Sequence, residues 1–165
     1  MKKMGWLIAA ASVAVVVSVA MPVVAQPCEI VGTNGNDTIG GTDGDDVICA
    51  RDGHDRVRGR NGGDELRGDQ GRDLMYGGRG HDVLLGDGGE DVLLGQRGND
   101  AVHGGKRSDT LIGGPGDDHL AGGFGEDLID ARDGSGGDEV LGGPNRDVCY
   151  IDALDTATGC ERTVQ

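Results

Sequence analysis

Aspartate recurs once in every nine residues over most of this 165-residue chain, and its carboxylate is the reactive group that the sequence repeats most regularly. The period does not slip between Gly32 and Asp130, and after a two-residue insertion the pattern returns twice more. The thirteen aspartates of the series are Asp37, Asp46, Asp55, Asp64, Asp73, Asp82, Asp91, Asp100, Asp109, Asp118, Asp127, Asp138 and Asp147. Carboxylates held in register at short intervals are suited to binding hard cations.

Glycine stands at fixed distances before these aspartates. If each repeat is numbered from its first residue, as in GGRGHDVLL at 77–85, positions one and four are almost always glycine and position six is the aspartate. Glycine adopts backbone angles that other residues avoid, so we expect positions one to six to form a tight turn that exposes carbonyl oxygens. The position-four glycines are Gly35, Gly44, Gly53, Gly62, Gly71, Gly80, Gly89, Gly98, Gly116 and Gly125.

One apolar residue, at position eight, follows each aspartate. A helix would repeat apolar residues at spacings of three and four, and a long strand would alternate them, so neither fits. Positions seven to nine are therefore expected to form a short strand with position eight inward. The pattern predicts an all-β solenoid in which each repeat is half a circuit and residue i lies over residue i+18. This coil is right-handed and parallel, with two sheets and about 4.8 Å between rungs.

Stacking of this kind places the aspartates in two columns, one along each edge of the coil. Neighbouring carboxylates in a column repel each other by about 1 kcal/mol even at the dielectric constant of water. Calcium accepts six to eight oxygen ligands, including backbone carbonyls, so an ion between adjacent turns would replace this repulsion by attraction. The pattern therefore predicts several Ca²⁺ ions held by carboxylates and turn carbonyls.

The phrases GGRGHDVLL at 77–85 and GGFGEDLID at 122–130 resemble the RTX (hemolysin-type) calcium-binding nonapeptide repeat, and the resemblance extends over all thirteen repeats. It implies a right-handed parallel β-roll in which each Ca²⁺ ion lies between successive loops. The implied ligands are the position-six aspartates and the carbonyls around the position-four glycines. Two sites are expected to be weaker, because Arg107 replaces the glycine before Asp109 and no further repeat stacks beyond Asp147.

The chain divides into four segments. Residues 1–25 have the two lysines, the apolar run and the small-residue end of a cleaved secretory signal peptide, and the alternative is an uncleaved membrane anchor of nearly spanning length. Residues 32–150 are the expected calcium-binding roll. An open stack of rungs needs caps, for which residues 26–31 and 151–165 are available. We therefore expect a secreted protein with no membrane association once processed.

Charge and composition limit the function classes. The formal net charge is -14, which disfavours binding to nucleic acid or anionic lipid and favours multivalent cations. The four histidines are scattered, without the His-Glu-x-x-His pattern of zinc enzymes, and Ser108 and Ser135 lie in no nucleophile elbow. We therefore expect a non-catalytic protein.

The four cysteines form two groups at opposite ends of the predicted coil, Cys28 with Cys49 and Cys149 with Cys160. The coil should separate the groups by roughly 30 Å, whereas a disulfide needs Cα atoms within about 7 Å. Two local disulfides are therefore predicted, as is common in exported proteins.

Apolar residues also occupy outward positions on one predicted sheet, where polar residues would be usual. They are Leu74, Tyr76, Val92, Leu94, Ile112 and Leu128. Contiguous exposed apolar residues of this kind can mark a docking or self-association surface. The alternative function is therefore an extracellular adhesion or partner-binding module in which calcium is only structural.

Overall fold

The structure is a computed structural model that describes residues 27–134 and 136–165. The predicted signal peptide lies outside the described residues. In chain order the strands are β1 (Ile30–Val31), β2 (Thr38–Gly40), β3 (Val47–Cys49), β4 (Asp52–Gly53), β5 (Arg56–Asn61), β6 (Glu65–Arg67), β7 (Gln70–Gly71), β8 (Leu74–Arg79), β9 (Val83–Gly88), β10 (Val92–Arg97), β11 (Ala101–Lys106), β12 (Thr110–Ile112), β13 (His119–Phe124), β14 (Leu128–Asp130), β15 (Glu139–Leu141), β16 (Val148–Tyr150), β17 (Thr156–Thr158) and β18 (Arg162–Val164). No helix that could span a membrane occurs within the described ranges.

These strands build two parallel sheets, as the nine-residue period predicts. The first sheet has the order β1-β3-β6-β9-β11-β13-β15-β17, with β4 and β7 paired beside it, and the second has the order β18-β16-β14-β12-β10-β8-β5-β2. Paired residues are eighteen apart, as in Met75 with Leu93 and Leu93 with Leu111. The predicted β-roll is therefore confirmed.

The two-residue insertion after Asp130 does not interrupt the ladder. Leu120 pairs with Val140, twenty residues later, and the next rung continues from there. Because the neighbouring strands keep their register, the loop between them takes up the extra residues. The stack then extends to β17 and β18, which lie in the segment that we expected to serve as a C-terminal cap.

The core is a narrow column of position-eight side chains between the two sheets. Ile39 is partly exposed, and the following twelve members are almost completely buried. Those buried members are Ile48, Val57, Leu66, Met75, Leu84, Leu93, Val102, Leu111, Leu120, Ile129, Val140 and Cys149. Each repeat contributes one such residue, and full burial of an aliphatic side chain gives only about 1.5–3 kcal/mol. Packing alone is therefore a weak source of stability for this fold.

The position-one glycines have a different role from the one we expected. Positive φ occurs at positions two and four, as at Gly78 (132°) and Gly80 (136°), but not at position one. Gly77, at position one, is instead required by space, because a Cβ atom there would lie 2.5 Å from Asp82 Oδ2 and 2.7 Å from the Gly95 carbonyl oxygen. Position one therefore brings the backbone close to the aspartate of its own loop.

Both ends of the roll are closed by disulfides. Cys28 is bonded to Cys49 with a Cα–Cα distance of 5.8 Å, and Cys149 is bonded to Cys160 with a distance of 6.0 Å. The predicted pairing is confirmed. Each bond ties a terminal segment to a strand of the stack, where an open edge would otherwise be free to pair with another chain.

Candidate metal sites in the loops

The position-six aspartates point into the loops. Every one from Asp46 onwards has a solvent exposure of 5% or less, whereas Asp37 in the first loop is partly exposed. Burial of so many ionisable side chains is unusual, because a buried carboxylate is strongly disfavoured unless it is paired, hydrogen-bonded or metal-bound. The surroundings of each carboxylate oxygen therefore indicate what the loops can bind.

One oxygen of each carboxylate from Asp55 onwards connects adjacent rungs. Asp82 Oδ1 accepts the backbone N–H of Asp64 at 2.8 Å, and Asp100 Oδ1 accepts that of Asp82 at 2.8 Å. The same bond recurs eleven times, from the carboxylate of Asp55 to that of Asp147, at 2.7–2.9 Å. Each edge therefore carries a continuous ladder from side chain to backbone.

The second oxygen of those eleven carboxylates is buried and has no hydrogen-bond partner among the residues that the structure describes. The residues concerned are Asp55, Asp64, Asp73, Asp82, Asp91, Asp100, Asp109, Asp118, Asp127, Asp138 and Asp147. A buried acceptor without a partner costs roughly 1–3 kcal/mol, and more when it is charged. Eleven in register therefore point to a ligand that supplies positive charge along both edges.

The first two aspartates of the series are different. Asp37 Oδ2 accepts the Thr33 backbone N–H at 2.6 Å and its hydroxyl at 2.9 Å. Asp46 Oδ2 accepts the equivalent groups of Thr42 at 2.6 and 3.0 Å. The repeat pattern did not distinguish these two aspartates from the later ones, so this pairing with threonine was not predicted. The available signal was a threonine four residues before the aspartate, in the place where other repeats have glycine or a longer side chain.

Backbone carbonyl oxygens lie close to the carboxylates. A Cβ atom at Gly53 would lie 2.9 Å from both Asp55 Oδ1 and the carbonyl oxygen of Gly35 one rung away. At Gly89 the same position would lie 2.8 Å from Asp91 Oδ1 and would overlap the carbonyl oxygen of Gly71. The position-four glycines are therefore needed for space, and the groups that they bring together are oxygen donors.

Burial raises the pKa of the position-six aspartates from Asp55 to Asp138 above the ordinary value of 3.8. Loss of hydration is the main cause, hydrogen bonds from the backbone lower the pKa in part, and neighbouring carboxylates raise it again in most of them. The pKa rises to about 6 for Asp64 and to about 7 for Asp73 and Asp118. Such shifts mean that the ion-free loops resist full ionisation near neutral pH.

The donor set fits a hard cation such as Ca²⁺. Within the part of the chain that the structure describes, no three acidic, histidine or cysteine side chains converge as a metal centre. An ion at a loop would therefore bind the unpartnered carboxylate oxygens and take its other ligands from carbonyl groups. Calcium accepts this mixture, whereas zinc favours histidine and cysteine ligands.

The two sites predicted to be weaker keep the same local geometry. Arg107 adopts a left-handed conformation (φ 77°), and its carbonyl oxygen approaches Gly125 as the Gly98 carbonyl approaches Gly116. Asn145 likewise has a positive φ of 105° in the loop of Asp147. What distinguishes the Arg107 loop is therefore an added positive charge and a left-handed non-glycine residue, and its weaker binding stays a prediction.

The outward apolar residues lie together on the second sheet. Leu74, Val92, Thr110 and Leu128 occupy one column of adjacent rungs, and Tyr76, Leu94 and Ile112 occupy the next. Ile112 is 37% exposed and Leu128 is 41% exposed, and the other apolar members are half-buried. Their register agrees with the predicted apolar face.

Comparison with known proteins gives one family. The model of the RTX calcium-binding nonapeptide repeat matches in four copies, at residues 29–57, 58–93, 94–129 and 103–136. These matches cover more than half of the chain. A search of curated proteins finds no match.

Proposed function

Because the chain belongs to the RTX calcium-binding nonapeptide repeat family, we propose that it is a secreted, non-catalytic protein whose β-roll folds as Ca²⁺ is taken up. The observation that carries this proposal is the series of eleven buried carboxylates, each with one oxygen that has no partner. The two disulfides support an oxidising location outside the cell.

The proposed ligands are the loop aspartates and the carbonyl groups around the position-four glycines. The eleven aspartates from Asp55 to Asp147 are the stronger candidates, because each has an oxygen free to bind an ion. Asp37 and Asp46 are weaker candidates, since Thr33 and Thr42 already donate to the corresponding oxygen. When bound, Ca²⁺ supplies the positive charge that offsets repulsion along each column.

We expect folding to depend on calcium uptake because the other interactions that stabilise the roll are weak. The core offers one buried aliphatic residue per nine, and the loops bury carboxylates whose pKa is raised. A ligand that binds only the folded chain stabilises it by about 4.1 kcal/mol at 1,000 times its dissociation constant. Several such ions would decide whether the chain folds, as metal binding does for other small metal-dependent domains.

Calcium stoichiometry tests this proposal. Flow dialysis of the purified protein should show multiple bound ions, and the double variant Asp82→Ala/Asp100→Ala should lose at least one of them. The matched control is Glu90→Ala/Glu126→Ala, which removes the same charge from two exposed side chains and should leave the stoichiometry unchanged. Equal losses in both variants would contradict binding by the buried carboxylates.

A second candidate is partner binding through the apolar face, with calcium serving only to build the roll. It is favoured by the adjacent apolar side chains of β8, β10, β12 and β14, which include the exposed Ile112 and Leu128. Replacement of Leu94 by aspartate should reduce self-association or ligand capture without changing calcium stoichiometry. Unchanged association in ultracentrifugation and unchanged capture would remove this candidate.

A further inference from the structure

A shallow groove of about 480 Å³ runs beside the second sheet, where β5, β8 and β10 pass into the loops. Its positively charged lining residues are Arg58, Arg60, Arg79 and Arg97, with Tyr76 on one side. This groove is separate from the aspartate columns, because it opens on the outer surface while the carboxylates point inward. Its lining contains these four arginines and no acidic residue.

The register of the roll assembles this cluster from separate repeats. Asn61, Arg79 and Arg97 are paired on three successive rungs, and Arg60 is paired with Gly78. Adjacent rungs are about 4.8 Å apart, so the guanidinium groups of Arg79 and Arg97 belong to neighbouring levels of one column. These arginines come from different repeats, so the cluster depends on the folded roll.

The groove arginines are not neutralised by the acidic residues of the chain. Over residues 27–134 and 136–165, the arginines that form ion pairs with carboxylates are Arg67, Arg132 and Arg146. Within those ranges no groove arginine forms such a pair, although the formal net charge is -14. Asp43, one rung from Asn61 in the same column, instead accepts a hydrogen bond from the Asn61 amide at 2.9 Å. The positive charge is therefore available to a ligand.

Adjacent rungs pack closely at the floor of the groove. Gly78, in its floor, has a φ of 132°, and a Cβ atom there would overlap the carbonyl oxygen of Arg60. Arg60 itself has a left-handed φ of 95°, which is uncommon for a residue with a side chain. Arg58 lies over the ring of Tyr76, with its guanidinium carbon 5.6 Å from the ring centre. An arginine and an aromatic ring are therefore held side by side at one wall.

We propose that this groove binds a compact organic anion with a phosphate or sulfate ester group, which the arginines contact while its organic part lies against Tyr76. Guanidinium groups donate paired hydrogen bonds to such oxyanions. The groove volume falls in the range of small-molecule sites. A long polyanion is disfavoured because the rest of the protein is strongly negative, so the ligand carries its charge in one place.

Titration with phenyl phosphate and phenyl sulfate tests the proposal, with neutral phenyl glucoside as the control ligand. In calcium, both esters or one of them should bind and shift the amide signals of residues 76–79, and the glucoside should not. Binding of one ester alone identifies the anion that the groove prefers. Absence of binding by both esters to the folded protein would overturn the proposal.

Two double variants that remove the same charge test whether the esters bind in the groove. Arg79→Gln/Arg97→Gln should weaken ester binding at least tenfold, whereas Arg51→Gln/Arg72→Gln, which removes two exposed arginines elsewhere on the roll, should change it less than twofold. Equal weakening in both variants would show general electrostatic attraction and overturn the proposal. Circular dichroism of each variant in calcium shows that the comparison is made on folded protein.

The groove rests on the proposed calcium-dependent folding, because its arginines come together only in the folded roll. A titration in chelator tests the groove and the calcium-dependent folding separately. Loss of both the folded spectrum and ester binding supports both proposals. A folded spectrum with retained binding supports the groove and refutes calcium-driven folding. A folded protein in calcium that binds neither ester refutes the groove alone.

Discussion

Replacement of Asp118 by asparagine should have opposite effects on stability with and without calcium. Asp118 Oδ1 accepts the backbone N–H of Asp100 at 2.8 Å, and its other oxygen is buried without a partner. Asparagine keeps the shape and one carbonyl acceptor but removes the charge. In calcium the variant loses a ligand and up to about 4.1 kcal/mol for one ion at 1,000 times its dissociation constant.

Without calcium the same substitution should favour the folded state. Burial, together with the carboxylates of Asp100 and Asp138 on the neighbouring rungs, raises the pKa of Asp118 to about 7. Repulsion between neighbouring carboxylates is about 1 kcal/mol for each pair at the dielectric constant of water, so removal of one charge relieves on the order of 2 kcal/mol. The predicted change in the free energy of unfolding is therefore negative in calcium and positive in chelator.

Urea unfolding followed by circular dichroism measures both effects. The chelator series is run with trimethylamine N-oxide, which favours compact states, so that a folded fraction is measurable. The control Asp117→Asn removes the same charge from the adjacent exposed side chain and should shift both series by less than about 0.5 kcal/mol. A destabilisation of Asp118→Asn in both series would refute the reasoning, because the carboxylate would then be a favourable member of the ion-free fold.

Three further predictions concern protons, strain and the first loops. In chelator, acidification from pH 7.5 to 5 should increase the folded fraction seen by circular dichroism. The pKa in the folded state is raised to about 6 for Asp64 and about 7 for Asp73, against 3.8 when unfolded. The stability that this difference gives is present at low pH and is lost as the pH rises through the raised pKa. In calcium, the same acidification should weaken ion binding. Arg107→Gly should raise stability in calcium by about 1–2 kcal/mol in urea titrations, because it relieves a left-handed residue. Thr42→Val should lower the melting temperature of the roll in chelator with trimethylamine N-oxide, because it removes one donor from Asp46, a loss of about 1–3 kcal/mol.

The repeat period was sufficient to predict the architecture. A strict spacing of nine with one apolar position determines which residues stack, so the pairing of Met75 with Leu93 and the burial of the core column follow from counting. The disulfides were predictable for the same reason, because the coil keeps its two ends apart. The insertion after Asp130 did not change the pairing of the strands, since a loop accommodates it.

The details inside the loops were not predictable from the period. A spacing gives the order of side chains but not their rotamers, so it could not show that Thr42 donates to Asp46 or that position one is glycine for space rather than for its backbone angle. The groove of Arg79 and Arg97 was missed because arginine positions vary between repeats and carry no period. Such features depend on contacts between rungs, which only three-dimensional coordinates show.

The most direct test of the central claim is far-UV circular dichroism of the purified protein in calcium and then in excess chelator at constant ionic strength. The account predicts a β-sheet spectrum in calcium, its loss in chelator and its recovery when calcium is restored. Magnesium should not replace calcium, because it is smaller, requires near-octahedral geometry and gives up its water reluctantly. A β-sheet spectrum that persists in chelator at pH 7.5 would contradict the claim that bound cations hold the roll together.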